Sequence, residues 1–296
     1  MPTLREIKRR IAGVKSTEKI TKAMKMVAAA KLRRAQAAVY AARPYSRKIS
    51  EMMRHLAANS DLSENKYVVP REVKSVAIVS VTADRGFCGA FNSNIIKATL
   101  NHIQNNYAEL NAGGQVKIVA VGRKGVEFLS KRKYNVVRGY SGIYHSLDLA
   151  AANGVTHEIV KGYLDGTYDR VDLIYNEFKS ILQQRLIIEQ LLPIPKEEIK
   201  PDEGKKIELE YIYEPSAAEI LDQLIPRHLS YQLWRVLLES NAAGEGARMA
   251  AMDNASENAG ELISALSLQY NKARQASITK ELLEVVSGAE ALKALG

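Results

Sequence analysis

Two glycine-bearing turns, five histidines and one cysteine are the residues of this 296-residue chain whose types and spacing invite chemistry. TADRGFCGAFNSN (82–94) follows a strand pattern and precedes a helical one. Phosphate-binding loops lie at such places, and Gly86 and Gly89 could bring backbone N–H groups close to an anion. The spacing is neither G-x-G-x-x-G nor G-x-x-x-x-G-K-[ST], and the lysine of a P-loop is missing. The stretch therefore reads as a structural turn or a protein-contact loop, and GRKG (122–125) as a tight strand-to-helix turn. His55, His102, His145, His157 and His228 show no metal-ligand spacing. Cys88 is the only cysteine, which excludes an intramolecular disulfide and a cysteine zinc cage. No Ser-His-Asp order or paired-carboxylate motif stands out. The expectation is no catalytic residue, no metal and no cofactor.

Charge is more informative. Residues 1–56 hold fifteen Lys or Arg and three Glu, a balance of +12 against +9 for the whole chain. The basicity belongs to the N-terminal arm, and a partner is to be sought there. Lys8, Arg9 and Arg10 span roughly 200° of a helix circumference. A membrane-surface helix would confine cations to one face and carry Trp or Phe on the other; this arm has neither. A solvated coiled-coil face would mix Glu with Lys. Nucleic acid needs only Lys and Arg, so a basic coiled-coil nucleic-acid binder stays open as the alternative, although no reading motif accompanies the arm. A socket with acidic walls fits the charge best.

The elements that position these residues form three parts: an N-terminal coiled-coil helix over 1–60, a central α/β domain over 73–214 and a C-terminal coiled-coil helix over 215–296. Thr3 with Glu6 makes a capping box. An apolar stripe follows through Leu4, Ile7, Ile11, Val14, Ile20, Met24, Val27, Ala28, Leu32, Ala35 and Val39, with Thr17 bridging a weak spot. Pro44 is compatible with a kink, since the pattern resumes to about Leu56. Some fifty helical residues would run about 80 Å, a length no single globular core needs. The middle part alternates: strands at 73–82, 116–122 and 170–178, helices at 93–107, from 122 and at 157–166, and an antiparallel strand at 183–194. That predicts a Rossmann-like α/β layer with a partly parallel sheet. A loop rich in Lys, Glu, Pro and Gly spans 195–206. Ser216 with Glu219 is a second capping box; Pro226 interrupts, and a long helix runs from about His228 to Val286. Its stripe includes Leu229, Leu233, Leu237, Ala247, Ala251, Ala255, Ala259, Leu262, Leu266 and Ala273, with small residues over 242–259 that let another helix approach. The two terminal helices are expected to pair as a long antiparallel two-helix coiled coil projecting from the middle domain. No signal peptide is expected from MPTLREIKRR, and no run of about 18 apolar residues spans a bilayer.

ITKAMKMVAAAKLRRAQ (20–36), TADRGFCGAFNSN, VGRKG, ARMAAMDNASENAGELI and YNKARQASITKELLEVVSGAEAL together resemble, in order, the gamma subunit family of F-type (rotary) ATP synthase. The resemblance covers essentially the whole chain. It implies a non-catalytic central-stalk rotor whose helix pair turns inside a hexamer of alpha and beta subunits. ATP is then made on beta, while the α/β domain binds the epsilon subunit and rests on the c-ring of the membrane sector. By motif position it implies that Lys22, Met24 and Lys25 meet the beta collar, with Arg85 to Cys88 as a second contact. Gln275, Thr279, Glu281 and Glu284 lie near the upper bearing, and Tyr211, Tyr213 and Glu214 are candidates for the c-ring foot. Membrane association would be indirect, on the cytoplasmic side of a bacterial inner membrane. A short cysteine-free loop at 195–206 departs from the plant chloroplast branch and argues against thiol control. The family commonly has Ser-Glu where this chain has Gly244-Glu245, and Gly246 follows; two glycines in a helix interior suggest a softer mid-shaft.

Overall fold

The computed structural model describes residues 3–295 other than 59, 61, 63, 64, 182, 200–212 and 215. Along the chain lie α1 (Leu4–Ala58), β1 (Val76–Val81), α2 (Phe91–Asn106), α3 (Ala108–Ala112), β2 (Val116–Val121), α4 (Arg123–Lys131), β3 (Val136–Tyr140), a short 3-10 turn (Ile143–His145), α5 (Leu149–Leu164), β4 (Arg170–Phe178), β5 (Gln184–Leu192), α6 (Lys196–Ile199) and α7 (Ala217–Leu295). They form two compact units, Ala28–Arg248 and Met1–Val27 with Met249–Gly296, so each long helix contributes to both.

In the larger unit the strands lie in the order β3-β2-β1-β4-β5. All neighbours are parallel except the β4–β5 hairpin. β1, β2 and most of β4 are buried on both faces, which is why they read as near-continuous apolar runs. Alternate residues feed two cores. Ala77, Val79 and Val81 join Val155 and Ile159 of α5 and Leu229, Leu233 and Leu237 of α7. Val76 and Ile78 join Phe91 and Ile95 of α2 and Leu129 of α4. Each fully buried Ile or Leu here contributes about 1.5–3 kcal/mol. Asp148 caps α5, accepting from Ala151 N at 2.7 Å.

β3 has no counterpart in the sequence reading. It is an edge strand, half exposed, with Arg138 and Gly139 in its five residues, so neither alternation nor an apolar run betrays it. Pro226 does not interrupt α7, which passes through it; the missing N–H costs one helical hydrogen bond, and Ile225 and Leu229 on either side are anchored in the core. α1 likewise passes through Pro44. Both capping residues act as expected: Glu6 N donates to Thr3 Oγ1 and Thr3 N to Glu6 Oε2, and Glu219 N donates to Ser216 Oγ. Of the 195–206 loop, Lys196–Ile199 is helical and 200–206 lies outside the described residues.

The strand order reverses between β1 and β4, whose carboxyl ends flank the crevice where open α/β sheets hold ligands. Here α7 fills it. Leu237 belongs to one core and Ala243 and Ala247 to the other, so the helix crosses the strand ends between them. A side chain at Gly244 would meet the Phe91 ring at 3.5 Å and Ala83 at 3.8 Å, and one at Gly246 would meet Phe178 at 3.2 Å. The small residues of this stretch admit the sheet and its loops, not only a second helix. Close packing accounts for Gly246, whereas Gly244 has room for a methyl group at ordinary contact distance.

Candidate functional site

The smaller unit is built on a helix pair. In α1 the more buried positions step by four and three in turn: Ile7, Ile11, Val14, Glu18, Thr21 and Lys25. In α7 they are Met252, Ser256, Ala259, Ile263, Leu266, Tyr270 and Ala273, with the same alternation. That seven-residue repeat is a coiled-coil seam. Thr21 Oγ1 lies 2.7 Å from Ser256 Oγ, and Lys25 Nζ lies 2.5 Å from Asp253 Oδ1. One residue number rises while the other falls, so the helices run antiparallel. Each hydroxyl also reaches a backbone carbonyl, Glu18 O at 3.0 Å and Met252 O at 2.8 Å. Each hydroxyl carries one proton, so one donates to its backbone carbonyl and the other to its partner's oxygen, and sliding the helices would break the contact between them.

The seam corrects the sequence stripe. Ile20 and Val27 are 57% and 56% exposed, Thr17 is exposed, and in α7 Leu262 faces out. Sequence pattern alone favoured those apolar side chains, but the repeat places polar Glu18, Thr21 and Lys25 at the contact. Ile20, Met26 and Val27 instead form an outward apolar strip among Lys19, Lys22 and the arm's other cations. In α7 every described side chain from Arg274 to Glu290 is exposed except Ser277, with Ile278, Leu282, Leu283, Val285 and Val286 among them.

In the larger unit the turn after β1 is held from several sides. Arg248 donates to Gly86 O and Arg85 O at 3.2 Å each, and its guanidinium pairs with Glu245 at 2.6 Å. Asn92 Nδ2 reaches Arg85 O and the Cys88 sulfur, and Ala83 N donates to Asn92 Oδ1. The turn's one strained residue is Phe87, at φ +59° and 73% exposed. A bulky residue in left-handed backbone is costly, and these hydrogen bonds hold it there with the ring pointing outward. Asp84 accepts from Arg123 N and Gly142 N at 2.9 and 2.8 Å and from Tyr144 N at 3.3 Å. A carboxylate of the chain itself therefore sits where these backbone amides converge.

The expected contact residues fall as follows. Met24 is half-buried, Lys25 bonds Asp253, and Lys22 pairs with Glu18 at 2.6 Å. The Arg85 side chain is exposed, whereas Cys88 is 2% exposed and turned into the domain, so it offers no outer surface. Burial pushes the Cys88 thiol above its ordinary range, which leaves it inert. Phe87, inside the expected stretch from Arg85 to Cys88, is its exposed apolar residue; its positive φ was not visible in the residue types. Gln275, Thr279, Glu281 and Glu284 share the exposed stretch of α7, with Thr279 Oγ1 donating to Gln275 O and Glu284 facing Lys280 at 3.7 Å. Tyr213 is half-buried and Glu214 exposed; Tyr211 lies outside the described residues. Among the described residues there is no metal-binding cluster of His, Cys, Asp and Glu.

The sequence pattern of the family described as "ATP synthase" matches residues 3–292. The ATP synthase gamma chain of Chlorobaculum tepidum is 53% identical over 294 residues, covering 99% of this chain and 100% of that one. This chain belongs to the ATP synthase gamma chain family. A second gamma chain, from Chloroherpeton thalassium, is 50% identical over 301 residues and 99% of each chain. Among solved structures, a central-stalk chain of the Tetrahymena thermophila mitochondrial ATP synthase is 26% identical, with a TM-score of 0.62 over 80% of this chain and 99% of that one. A chain of the Euglena gracilis mitochondrial ATP synthase has a TM-score of 0.67 over 98% of this chain and 95% of that one; at 20% identity it speaks for the fold alone. For a gamma chain, a seam of paired helices and a braced turn are the features to explain, and catalytic groups are not.

Proposed function

We propose that this gamma chain is the central-stalk rotor of an F-type ATP synthase, a non-catalytic subunit that couples ion translocation through the membrane sector to ATP synthesis on beta subunits. The observation that carries the reading is end-to-end identity of 53% to a gamma chain. The seam geometry suits it. A rotor needs two helices that cannot slide, and a hydrogen-bonded hydroxyl pair inside a heptad seam opposes sliding. Its outer surface must be attracted to partners without being locked, and exposed ion pairs of about 0–1 kcal/mol each guide and do not grip.

On this reading the alpha and beta subunits surround the helix pair, with Lys22, Met24 and Lys25 at the beta collar. The braced turn makes a second contact through Arg85 and Phe87. Gln275, Thr279, Glu281 and Glu284 lie at the upper bearing, and Tyr213 and Glu214 lie toward the c-ring. The epsilon subunit binds the α/β domain. No described helix is long and apolar enough to cross a membrane, so attachment to the cytoplasmic face of a bacterial inner membrane is through the complex. The test is co-expression: the chain is expected to co-purify with alpha and beta subunits and to be required for ATP-driven ion pumping by the assembly. An assembly that pumps equally well without it would end the reading, and tight, salt-sensitive nucleic-acid binding would favour the alternative.

A further inference from the structure

We propose that Arg248, held by Glu245, is a positioning residue that sets the Phe87 ring for contact with the beta subunits. The identity of the partner rests on the rotor reading; the geometry of the brace does not. Phe87 combines two unfavourable features, a left-handed backbone at φ +59° and a ring that is 73% exposed. Glycine would adopt this backbone without strain, and a polar side chain would suit the exposure. Burial within the chain does not explain the ring, because it points outward. An aromatic ring held outward next to an exposed arginine, Arg85, has the composition of an interface anchor.

The brace comes from α7. Arg248 Nε donates to Gly86 O and Nη2 to Arg85 O, each at 3.2 Å. The Gly86 carbonyl belongs to the planar peptide unit that precedes Phe87, so holding it fixes one side of the φ rotation. Asn92 of α2 holds Arg85 O and the Cys88 sulfur, on either side of that unit; Arg248 holds the unit itself.

Glu245 makes this use of Arg248 possible. Nη1 lies 2.6 Å from Glu245 Oε1, one helical turn back, and the two side chains are 10% and 11% exposed. A cation so nearly buried needs a paired carboxylate, and the planar guanidinium can face that carboxylate and two carbonyls together. An ammonium has no such fork. Ala243 and Ala247, flanking Glu245 in α7, are buried in the same core as Phe91 and Cys88. The helix that carries the brace is therefore anchored at the turn that it holds.

A double-mutant cycle on the assembled complex tests this. Glu245→Gln with Arg248→Met removes the brace without leaving a lone buried charge, and Phe87→Ala removes the ring. Each should lower ion pumping per ATP, and the combination should pump no worse than Phe87→Ala alone, because the brace acts through the ring. A second reading is taken on the full chain by itself. With Phe87→Trp and Trp234→Phe the indole at position 87 is the only one. Removing the brace should lower its fluorescence anisotropy, with the melting temperature showing that the chain is folded. Arg248→Lys keeps the charge pair and gives up the fork; it should loosen the indole too, and it serves where the double exchange does not fold. The proposal is overturned if the losses multiply in the combination, if Phe87→Ala or the brace variant pumps normally, or if the indole is as rigid without the brace as with it. Failure of the rotor reading shows separately, in an assembly that pumps equally well without the chain, and the anisotropy then still decides the brace.

Discussion

Thr21 and Ser256 lie 235 residues apart in sequence and 2.7 Å apart in space, hydroxyl to hydroxyl, both buried in the helix seam. Removing one partner leaves the other with its own backbone carbonyl only. Thr21→Val or Ser256→Ala should each lower stability by about 1 kcal/mol. The double variant should cost less than the sum, because both partners then leave together. Urea denaturation of the four proteins gives the coupling energy, and strict additivity would mean that the pair does not act as a unit.

This pair also marks the limit of what the sequence discloses. Two terminal helices, strands at β1, β2, β4 and β5 and both capping boxes are legible, because buried strands are continuously apolar and the capping spacing is local. The seam is not fully legible. Its middle positions hold Glu18, Thr21 and Lys25, and period reasoning chooses Ile20 and Val27, whose exposure only the partner helix decides. β3 escapes because an edge strand buries little. The strained backbone at Phe87 and the amides gathered by Asp84 escape for another reason: backbone conformation and converging amides are properties of the folded turn, not of residue type.

Gly244 and Gly246 should respond differently to alanine, although both lie in α7. Each gains about 1 kcal/mol of helix propensity on substitution. At Gly244 the new methyl meets Phe91 at ordinary contact distance, 3.5 Å, so Gly244→Ala should raise the melting temperature. At Gly246 it meets Phe178 at 3.2 Å, tighter than normal packing, so the gain should be cancelled or reversed. Equal stabilisation at both sites would show that flexibility, and not packing, selects these glycines.

Asp172 gives the larger unit an acid-sensitive anchor. Buried in β4, it accepts from His102 Nε2 at 2.9 Å, Tyr107 Oη at 2.6 Å and Arg170 Nε at 2.9 Å. Burial alone pushes its carboxyl up, but these three donors outweigh burial and hold it below its ordinary value of 3.8. Its contribution to stability is therefore present above about pH 4 and is lost as pH falls through the lowered folded value. Asp172→Asn should cost about 2–3 kcal/mol at neutral pH and flatten the acid limb of the stability curve. An acid limb unchanged in the variant would assign acid unfolding to other carboxylates.

Lys25 serves both an internal pair and the proposed collar contact, and a charge swap separates the two. Its ammonium lies 2.5 Å from Asp253, with both side chains substantially exposed. Lys25→Glu sets two carboxylates together, yet at an exposed site it should lower stability by no more than about 1 kcal/mol. Adding Asp253→Lys should restore that loss, since the pair is re-formed in reverse. Ion pumping per ATP in the assembled complex should fall in the single variant and stay low after the swap, because the outer surface still presents Glu where partners expect Lys. Lys22→Glu with Lys25→Glu should impair coupling further while leaving the chain folded, since Lys22 faces outward beside Glu18. Full recovery of pumping by the swap would show that Lys25 acts only within the chain, and unchanged pumping in every variant would remove this face from the collar.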